Sequence, residues 1–230
     1  MNQTARRGLL ALSALAAAPG LVALIGAMPE FGSGPRALGR AIAVAGPRLR
    51  HVQNLVSAVN FDFRSLDTVG EEFMLMCAVT GTVLLLRGGR GEGTTDQPAL
   101  APGRPRLDRA ESTTLAGWIC APLILVFGIY VVLHATVTPG GGFQGGAIAA
   151  SGLVLSFVAG GYHAWRRLAR SPVLAALEAA GALLFIGSGL AVMGVGGAFM
   201  ENRLPLGKAG DILSGGIMVT ENLGVGLAVC

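Results

Sequence analysis

The sequence predicts an all-α membrane protein with about six transmembrane helices and a glycine-rich break between the third and fourth spans. Hydrophobic residues make up 52% of the 230 residues and charged residues only 13%, against about 25% charged residues in an ordinary soluble domain. The charges are clustered, so long apolar runs lie between them. Between two of these runs, five glycines and a proline fall within nine residues.

Six apolar runs each have close to the ~20 residues that a helix needs to cross about 30 Å of hydrocarbon. They cover about residues 8–28, 69–87, 114–135, 143–162, 172–196 and 210–229. The first run follows Arg6 and Arg7, as a signal peptide can, but its length favours a retained helix. Loop arginines flank the runs and predict a cytoplasmic N-terminus, because positive loops stay inside. We therefore explain the net charge of +4 by membrane orientation and expect no nucleic-acid partner.

Two polar stretches divide the chain. Residues 29–64 carry several arginines and predict a connection with a short interfacial helix. Residues 88–112 are rich in Gly, Pro, Thr and Arg, which is typical of a flexible linker. We expect a two-span part at residues 1–87 and a four-span part at residues 113–230. The latter ends in an apolar run without a polar tail, so we expect a truncated last helix.

The glycine-rich break is the first candidate functional segment. Irregular backbone at membrane depth is tolerated only where protein buries it or water reaches it. One interpretation is a tight turn between two helices. The other is an unwound segment that offers carbonyl groups and a glutamine side chain to a cation or a hydrated path. The segment consists of Thr138, Pro139, Gly140, Gly141, Gly142, Phe143, Gln144, Gly145 and Gly146.

Ionisable residues inside the predicted spans are candidates for an ion path, because a charge at the centre of a membrane helix costs at least about 2.5 kcal/mol. Glu221 lies near the middle of the sixth run, and Glu178 lies a third of the way into the fifth. Each shares a helical face with small residues, which mark close helix contacts, so we expect both to face protein. Each carboxyl either carries protons or only fixes helix contacts. His134 closes the third run and either relays protons or caps the helix.

A second compact motif, residues 62–71, places three carboxylates and one arginine at the mouth of the second run. Asp67 or Thr68 can cap that helix, with Glu71 reaching back, and the arginine can pair with a carboxylate. Capping does not explain why Glu71 and Glu72 stand together before an apolar run. A water-accessible polar pocket would. The three cysteines all lie in apolar runs without ligand spacing, so we expect small core residues and no metal site.

Residues 138–146 resemble the Thr-Pro-Gly-Gly-Gly-Phe-Gln-Gly-Gly signature of the B subunit of Mrp-type multisubunit cation/proton antiporters at all nine positions. Residues 108–230 resemble that subunit throughout. His134 matches a histidine that commonly precedes the signature, whereas a second histidine, usual two positions later, is Thr136 here.

Residues 62–71 resemble the Asp-Phe-Arg-Gly-Phe-Asp-Thr-Leu-Gly-Glu pattern at the C-terminal end of the large A subunit of the same antiporters. The departures from that pattern are Ser65, Leu66 and Val69. The chain therefore resembles an A-subunit tail, at about residues 52–87, joined to a B subunit.

The resemblance implies an accessory subunit of a Na+/H+ antiporter in a bacterial inner membrane. It implies partners, namely the large A and D subunits and the small C, E, F and G subunits, and it implies no cofactor. Glu71 is carried over as a member of the cation path. The alternatives are a membrane-arm subunit of a hydrogenase-type or other energy-converting complex, and a non-transporting scaffold. No nucleophile–base pair stands out in the sequence, so we expect no catalytic residues and no enzyme.

Overall fold

The computed structural model describes residues 3–28, 37–87 and 110–230. Within these ranges the regular structure is entirely helical, and the chain forms two compact units, Met1–Arg40 and Ala41–Cys230. The described elements are α1 (Gln3–Gly26), α2 (Ala37–Arg50), α3 (Leu55–Ala58), a π-helical turn (Val59–Phe63), α4 (Ser65–Arg87), α5 (Glu111–Leu133), α6 (Gly142–Leu168), α7 (Ser171–Gly194) and α8 (Ile217–Val229).

The predicted all-helical membrane fold is confirmed. Among the described helices, four are long and apolar enough to cross a membrane, over residues 65–85, 111–133, 142–161 and 172–194. Two shorter apolar stretches, Ala11–Gly26 and Ile217–Val229, correspond to the first and sixth predicted spans. Most of the predicted linker, residues 88–109, lies outside the described residues.

The predicted start of the sixth span at residue 210 is wrong, because α8 begins only at Ile217. Gly210, Gly215 and Gly216 have φ values of 92°, 94° and 64°. A right-handed helix cannot continue through positive φ, so these residues form turns. Ser214 therefore lies outside the helix that carries Glu221. With 13 residues at about 1.5 Å each, α8 extends about 20 Å.

The connection before the second span contains more than the single helix expected there. After α2 the chain turns at His51, which has a φ of 57°. Asn54 then caps α3, since its side-chain oxygen accepts hydrogen bonds from the backbone N–H groups of Val56 and Ser57. The π-helical turn follows directly. Such turns often mark functional segments.

Glycines set the close helix packing of the second unit. A Cβ on Gly128 of α5 would lie 2.5 Å from the backbone nitrogen of Ala149 in α6. A Cβ on Gly181 of α7 would lie 2.5 Å from the carbonyl oxygen of Gly224 in α8. Small residues allow such approach between membrane helices, and they place α5 against α6 and α7 against α8.

The hydrophobic core of the second unit lies where the π-helical turn, α7 and α8 meet. It contains Val52, Ala58, Phe61, Phe185, Met200, Met218 and Val225. The rings of Phe61 and Phe185 meet edge to face at 6.4 Å. The predicted placement of the cysteines in the core is wrong for Cys77 and Cys120, which are exposed on α4 and α5. These outer helix faces are apolar because they meet lipid or a partner, so a small apolar residue fits there too.

Candidate functional site

The glycine-rich signature is only partly a break. Irregular backbone runs from His134 to Gly141, and Gly142, Phe143, Gln144, Gly145 and Gly146 belong to α6. The helical glycines serve close packing: a Cβ on Gly145 would lie 2.7 Å from the carbonyl oxygen of Gly128, and one on Gly146 would lie 2.8 Å from that of Gly226. Gln144 is exposed on the helix. The expectation that it lies in an unwound segment is therefore wrong.

Asn54 takes up the carbonyl groups of the break. Its side-chain nitrogen donates to the carbonyl oxygens of Ala135 at 2.8 Å, Thr138 at 2.9 Å and Gly140 at 2.9 Å. The Ser57 hydroxyl also donates to Ala135, at 2.6 Å. Because two backbone N–H groups in turn donate to the Asn54 oxygen, this one buried amide joins α3 to the break. We call Asn54 and Ser57 the clamp.

Two further asparagines fasten α8. The Asn222 side-chain oxygen accepts a hydrogen bond of 2.9 Å from the backbone N–H of Gly142, at the start of α6. Asn202, in the connection between α7 and α8, accepts one of 3.1 Å from the N–H of Ile217 and donates one of 3.1 Å to Asp62. These contacts fix the start of α8 against both α6 and the π-helical turn.

Asp62 joins the motif of residues 62–71 to the four-span part. Its carboxylate lies 2.5 Å from the Arg50 guanidinium, and its side chain is 5% exposed. The same carboxylate oxygen accepts the hydrogen bond from Asn202. An ion pair removed from water needs such extra hydrogen bonds to offset its desolvation. Asp62 therefore links Arg50 of α2 to Asn202 in the connection before α8.

Glu221 is the most deeply buried acidic residue described. It is 0% exposed, and within the described part of the chain neither carboxyl oxygen has a hydrogen-bond partner. The π-helical turn that carries Asp62 packs against α8. The expectation that Glu221 faces protein is met by this position.

Glu72 and Glu178 line one cavity. Its volume is about 290 Å³, and it is bounded by residues of α4 and α7 and by Ala228, Val229 and Cys230. One oxygen of Glu72 is buried without a hydrogen-bond partner among the described residues. Glu178 itself is exposed, contrary to the expectation that it faces protein. Its small neighbour Gly181 packs on α8, whereas the carboxyl projects beside that contact.

Other predicted residues lie outside this cavity. Helix α4 begins at Ser65, so Asp67 lies in its first turn and pairs with Arg64, and the predicted cap by Asp67 or Thr68 is wrong. Thr68 donates instead to the carbonyl oxygen of Asn60 at 2.7 Å. Glu71 is exposed. The carboxylates of residues 62–71 therefore do not share the cavity that Glu72 lines.

His134 and Thr136 hold the break locally. His134 is the C-cap of α5, its ring stacks on Tyr130 at 4.0 Å, and its Nδ1 donates to the Tyr130 carbonyl oxygen at 3.1 Å. Thr136 is 2% exposed and donates to the carbonyl oxygen of Ile212 at 3.0 Å. A hydroxyl thus makes a buried backbone contact at the position where the resembled family usually has its second histidine.

Sequence reasoning missed Arg50, Asn54, Asn202 and Asn222. Only Asn222 carried a signal, since it stands beside Glu221 within an apolar run. The other three lie in polar connections, and Asn54 meets partners more than 80 residues away. Nothing in the local sequence indicates those partners.

A family model described as a domain related to the MnhB subunit of the Na+/H+ antiporter matches residues 113–230, just over half of the chain. The chain belongs to the MnhB-related family. The predicted B-subunit resemblance is thereby confirmed, and the matched region begins at α5 and includes the break and all of α6 to α8.

This MnhB-related chain is 32% identical over 202 residues to an uncharacterized protein of Methanocaldococcus jannaschii, covering 77% of this chain and 73% of that protein. It matches a chain of the Mrp complex from Dietzia sp. DQ12-45-1b with a TM-score of 0.68 and 26% identity. That match covers 100% of this chain and 25% of the Dietzia chain, so this chain spans about a quarter of its structural relative.

The same fold occurs in the membrane-bound sulfane sulfur reductase, an archaeal respiratory membrane complex. The TM-score is 0.64 at 24% identity, over 97% of this chain and 94% of the matched chain. At this identity the likeness concerns the fold alone.

Proposed function

We propose that this chain is an accessory membrane subunit of a multisubunit Na+/H+ antiporter and contributes carboxyl groups to its cation path. One observation carries the proposal: acids from both predicted parts of the chain converge. Asp62 and Glu72 come from the A-tail-like part, and Glu178 and Glu221 come from the four-span part. The π-helical turn that carries Asp62 packs against the helix α8 that carries Glu221, and Glu72 and Glu178 line one cavity. Family membership supports antiport as the activity.

The arrangement suits passage of a small cation. Acidic residues within membrane helices are costly, and they commonly face a bundle interior or a water-filled cavity and mark ion pathways. Glu72 and Glu178 give the cavity between α4 and α7 two carboxyl groups. Glu71 lies on the exposed side of α4, where a neighbouring subunit would bring it into the path. Asp67, bound to Arg64, would stand at the entrance.

Other subunits would cover part of the apolar helix surface that the described chain leaves exposed. Only 6% of the 18-residue apolar window of α4 is buried. We propose that the large A and D subunits and the small C, E, F and G subunits supply the remaining walls in a bacterial plasma membrane. Proton motive force would drive the exchange, and the residues of this chain would act by binding Na+ and H+, without a cofactor.

The test is Na+/H+ exchange by the complete complex in everted vesicles of a host that lacks its own antiporters. Na+-induced dequenching of acridine orange reports the exchange. We expect Glu72→Gln to lower the rate at least about tenfold and Glu71→Gln to raise the Na+ concentration required. Glu111→Gln, an exposed acid at the start of α5, is the matched control and should leave the rate unchanged.

Full activity of both Gln variants at normal complex levels would leave only the scaffold function. The runner-up, a subunit of an energy-converting complex, is separated by the composition of the purified assembly. Copurifying iron–sulfur subunits would favour it over the antiporter.

A further inference from the structure

Glu221 is buried like a core residue, although its side chain can carry a charge. It is 0% exposed, and among the described residues no hydrogen bond reaches either carboxyl oxygen. Buried polar groups are normally paired, because an unsatisfied buried group costs about 1–3 kcal/mol and more when it is charged. An acid that only fixed helix contacts would have a donor, and Glu221 has none in this part of the chain.

No fixed positive charge compensates Glu221 among the described side chains. The elements packed against α8 are α3, the π-helical turn, α5, α6 and α7. Their described charged side chains are all acidic, namely Asp62, Glu111 and Glu178.

Three described arginines already have acidic partners. Arg50 pairs with Asp62, Arg64 with Asp67 and Arg203 with Glu201. The His51 and His134 rings donate to backbone carbonyl oxygens. A buried charge left without a partner is strongly destabilising, by about 3–5 kcal/mol. Since no described side chain neutralises Glu221, we infer that a mobile ion does so.

The charged side chains around Glu221 determine which charge the mobile ion must carry. Asn202 bonds both Asp62 and the first N–H of α8, and Glu221 follows four residues later, a rise of about 6 Å. Asn202 thus connects the π-helical turn that carries Asp62 to the helix that carries Glu221, and Arg50 pairs with Asp62. With both acids ionised, the two acids and Arg50 keep one negative charge. A single monovalent ion balances it, whereas a divalent ion would leave an excess positive charge in a buried site.

We propose that Glu221 is a site where one proton and one monovalent metal cation, Na+ or a chemically similar ion, displace each other. The inference rests on the proposed antiport function and assigns its exchange step to a residue. When the cation arrives at the carboxylate, one proton leaves. When the proton returns, one cation leaves. The charge of the site stays constant, and no covalent bond changes other than the O–H bond of the acid. Arg50 pairs with Asp62, so Asp62 already has a counter-charge and Glu221 is the acid left for the mobile ion.

Carbodiimide labelling of the purified wild-type complex tests the exchange directly, because the reagent modifies protonated carboxyl groups in apolar surroundings. Trypsin cleavage after Lys208 releases a peptide that begins at Ala209 and carries both Asp211 and Glu221. We expect Glu221 to be labelled in choline chloride and protected at least fivefold by NaCl. The NaCl concentration for half protection should fall about tenfold per unit rise in pH. Exposed Asp211 is the control within the same peptide and should show no Na+ protection.

Labelling of Glu221 that does not respond to Na+, or its absence at every pH, would overturn the inference. A second readout uses antiport: Glu221→Gln should abolish exchange in assembled complexes, and Glu221→Asp should retain it with a shifted KM for Na+. If wild-type complexes exchange Na+ for H+ while Glu221→Gln keeps the wild-type rate, this inference fails and the proposed function stands. If the wild-type complex shows no exchange at all, the proposed function itself fails.

Discussion

The glycine-rich break and the start of α8 are both polar regions inside an apolar protein, and they handle their polar groups in opposite ways. In the break, the carbonyl oxygens of Ala135, Thr138 and Gly140 all accept hydrogen bonds from the clamp, that is, from the Asn54 amide and the Ser57 hydroxyl. At α8, the Glu221 carboxyl has no partner among the described residues. These carbonyl groups of the glycine-rich break therefore have hydrogen-bond donors, whereas the Glu221 carboxyl has no hydrogen-bond partner among the described residues.

This difference separates polar groups that stabilise the fold from an acidic group that can take part in ion exchange. Irregular backbone at membrane depth is stable only when its polar groups are bound, and the clamp binds them within the chain. A carbonyl group that already accepts a buried amide is not free for a cation. An unpartnered acid, in contrast, stays available to a mobile ion. Clamp variants should hence change stability, and acid variants should change exchange.

The largest effect on stability should come from Asn54→Ala. The change removes the cap of α3 and leaves the Thr138 and Gly140 carbonyl groups without their donor, so we expect a loss of more than about 3 kcal/mol. Heating the detergent-solubilised complex, with size-exclusion chromatography as the readout of unfolding, measures this loss of stability. Gln53→Ala is the matched control, since the neighbouring Gln53 side chain is exposed. Normal stability together with altered cation selectivity would instead make the break the ion site.

Asp62→Asn should come next, and it affects both regions. The variant leaves the Arg50 guanidinium without a counter-charge, although that side chain is 33% exposed, so we expect a loss of about 1–3 kcal/mol. Asn retains an oxygen for Asn202, so the start of α8 should stay in place. Exchange per assembled complex should fall while assembly persists, as native gel electrophoresis and vesicle assays would show. Unchanged exchange would remove Asp62 from the path.

A smaller effect should follow from Gly145→Ala. The added Cβ would lie 2.7 Å from the Gly128 carbonyl oxygen and from the Val132 backbone nitrogen, so α5 and α6 must separate, at a cost of about 1–3 kcal/mol. Gly187→Ala in α7 is the control, because no neighbouring element of the described chain comes within 4 Å of the added Cβ there. That control should be neutral or slightly stabilising, since alanine favours a helix. Equal melting temperatures for both variants would contradict the packing account.

The sequence predicted the helices and the break because both depend on local properties of the chain. Apolar length predicts a span, and a proline among glycines predicts an interruption between residues 133 and 142. It placed Gly145 and Gly146 in the fourth span, but it could not identify their packing partners Gly128 and Gly226, which lie across helix contacts. It placed the start of the last helix too early, because the positive φ values of Gly210, Gly215 and Gly216 depend on tertiary contacts.

The site was less predictable than the fold. Glu221 was found from its position in an apolar run, which is a local signal. Glu178 gave the same kind of signal and proved exposed, because only the neighbouring Gly181 faces α8. Asn54 and Asn202 gave no signal, since their partners lie 81 to 86 and 140 residues away. Long-range polar contacts of single side chains have no sequence period that would reveal them.

The smallest effect should come from Glu201, in the connection before α8. The backbone N–H of Ala198, followed by Arg203, lowers the pKa of this carboxyl below its usual 4.5. A lowered folded-state pKa stabilises the fold above the unfolded-state value, and this stabilisation is lost as the pH falls through the lowered value. Glu201→Gln should therefore lose slightly more stability at pH 7 than at pH 3. Because the side chain is well exposed, the difference should be small, and hydrogen exchange at Ala198 would detect it. A larger loss in acid would contradict the assignment.

The most direct test compares one residue from each region by measuring Na+/H+ exchange in proteoliposomes, expressed per assembled complex. Asn54→Ser keeps a hydroxyl at the clamp, and Glu221→Gln keeps the shape of the acid. We predict that the serine variant is less stable but exchanges at the wild-type rate with an unchanged KM for Na+. The glutamine variant should assemble normally and lose at least about tenfold in rate. Normal exchange by Glu221→Gln, with a changed KM in Asn54→Ser, would contradict the account.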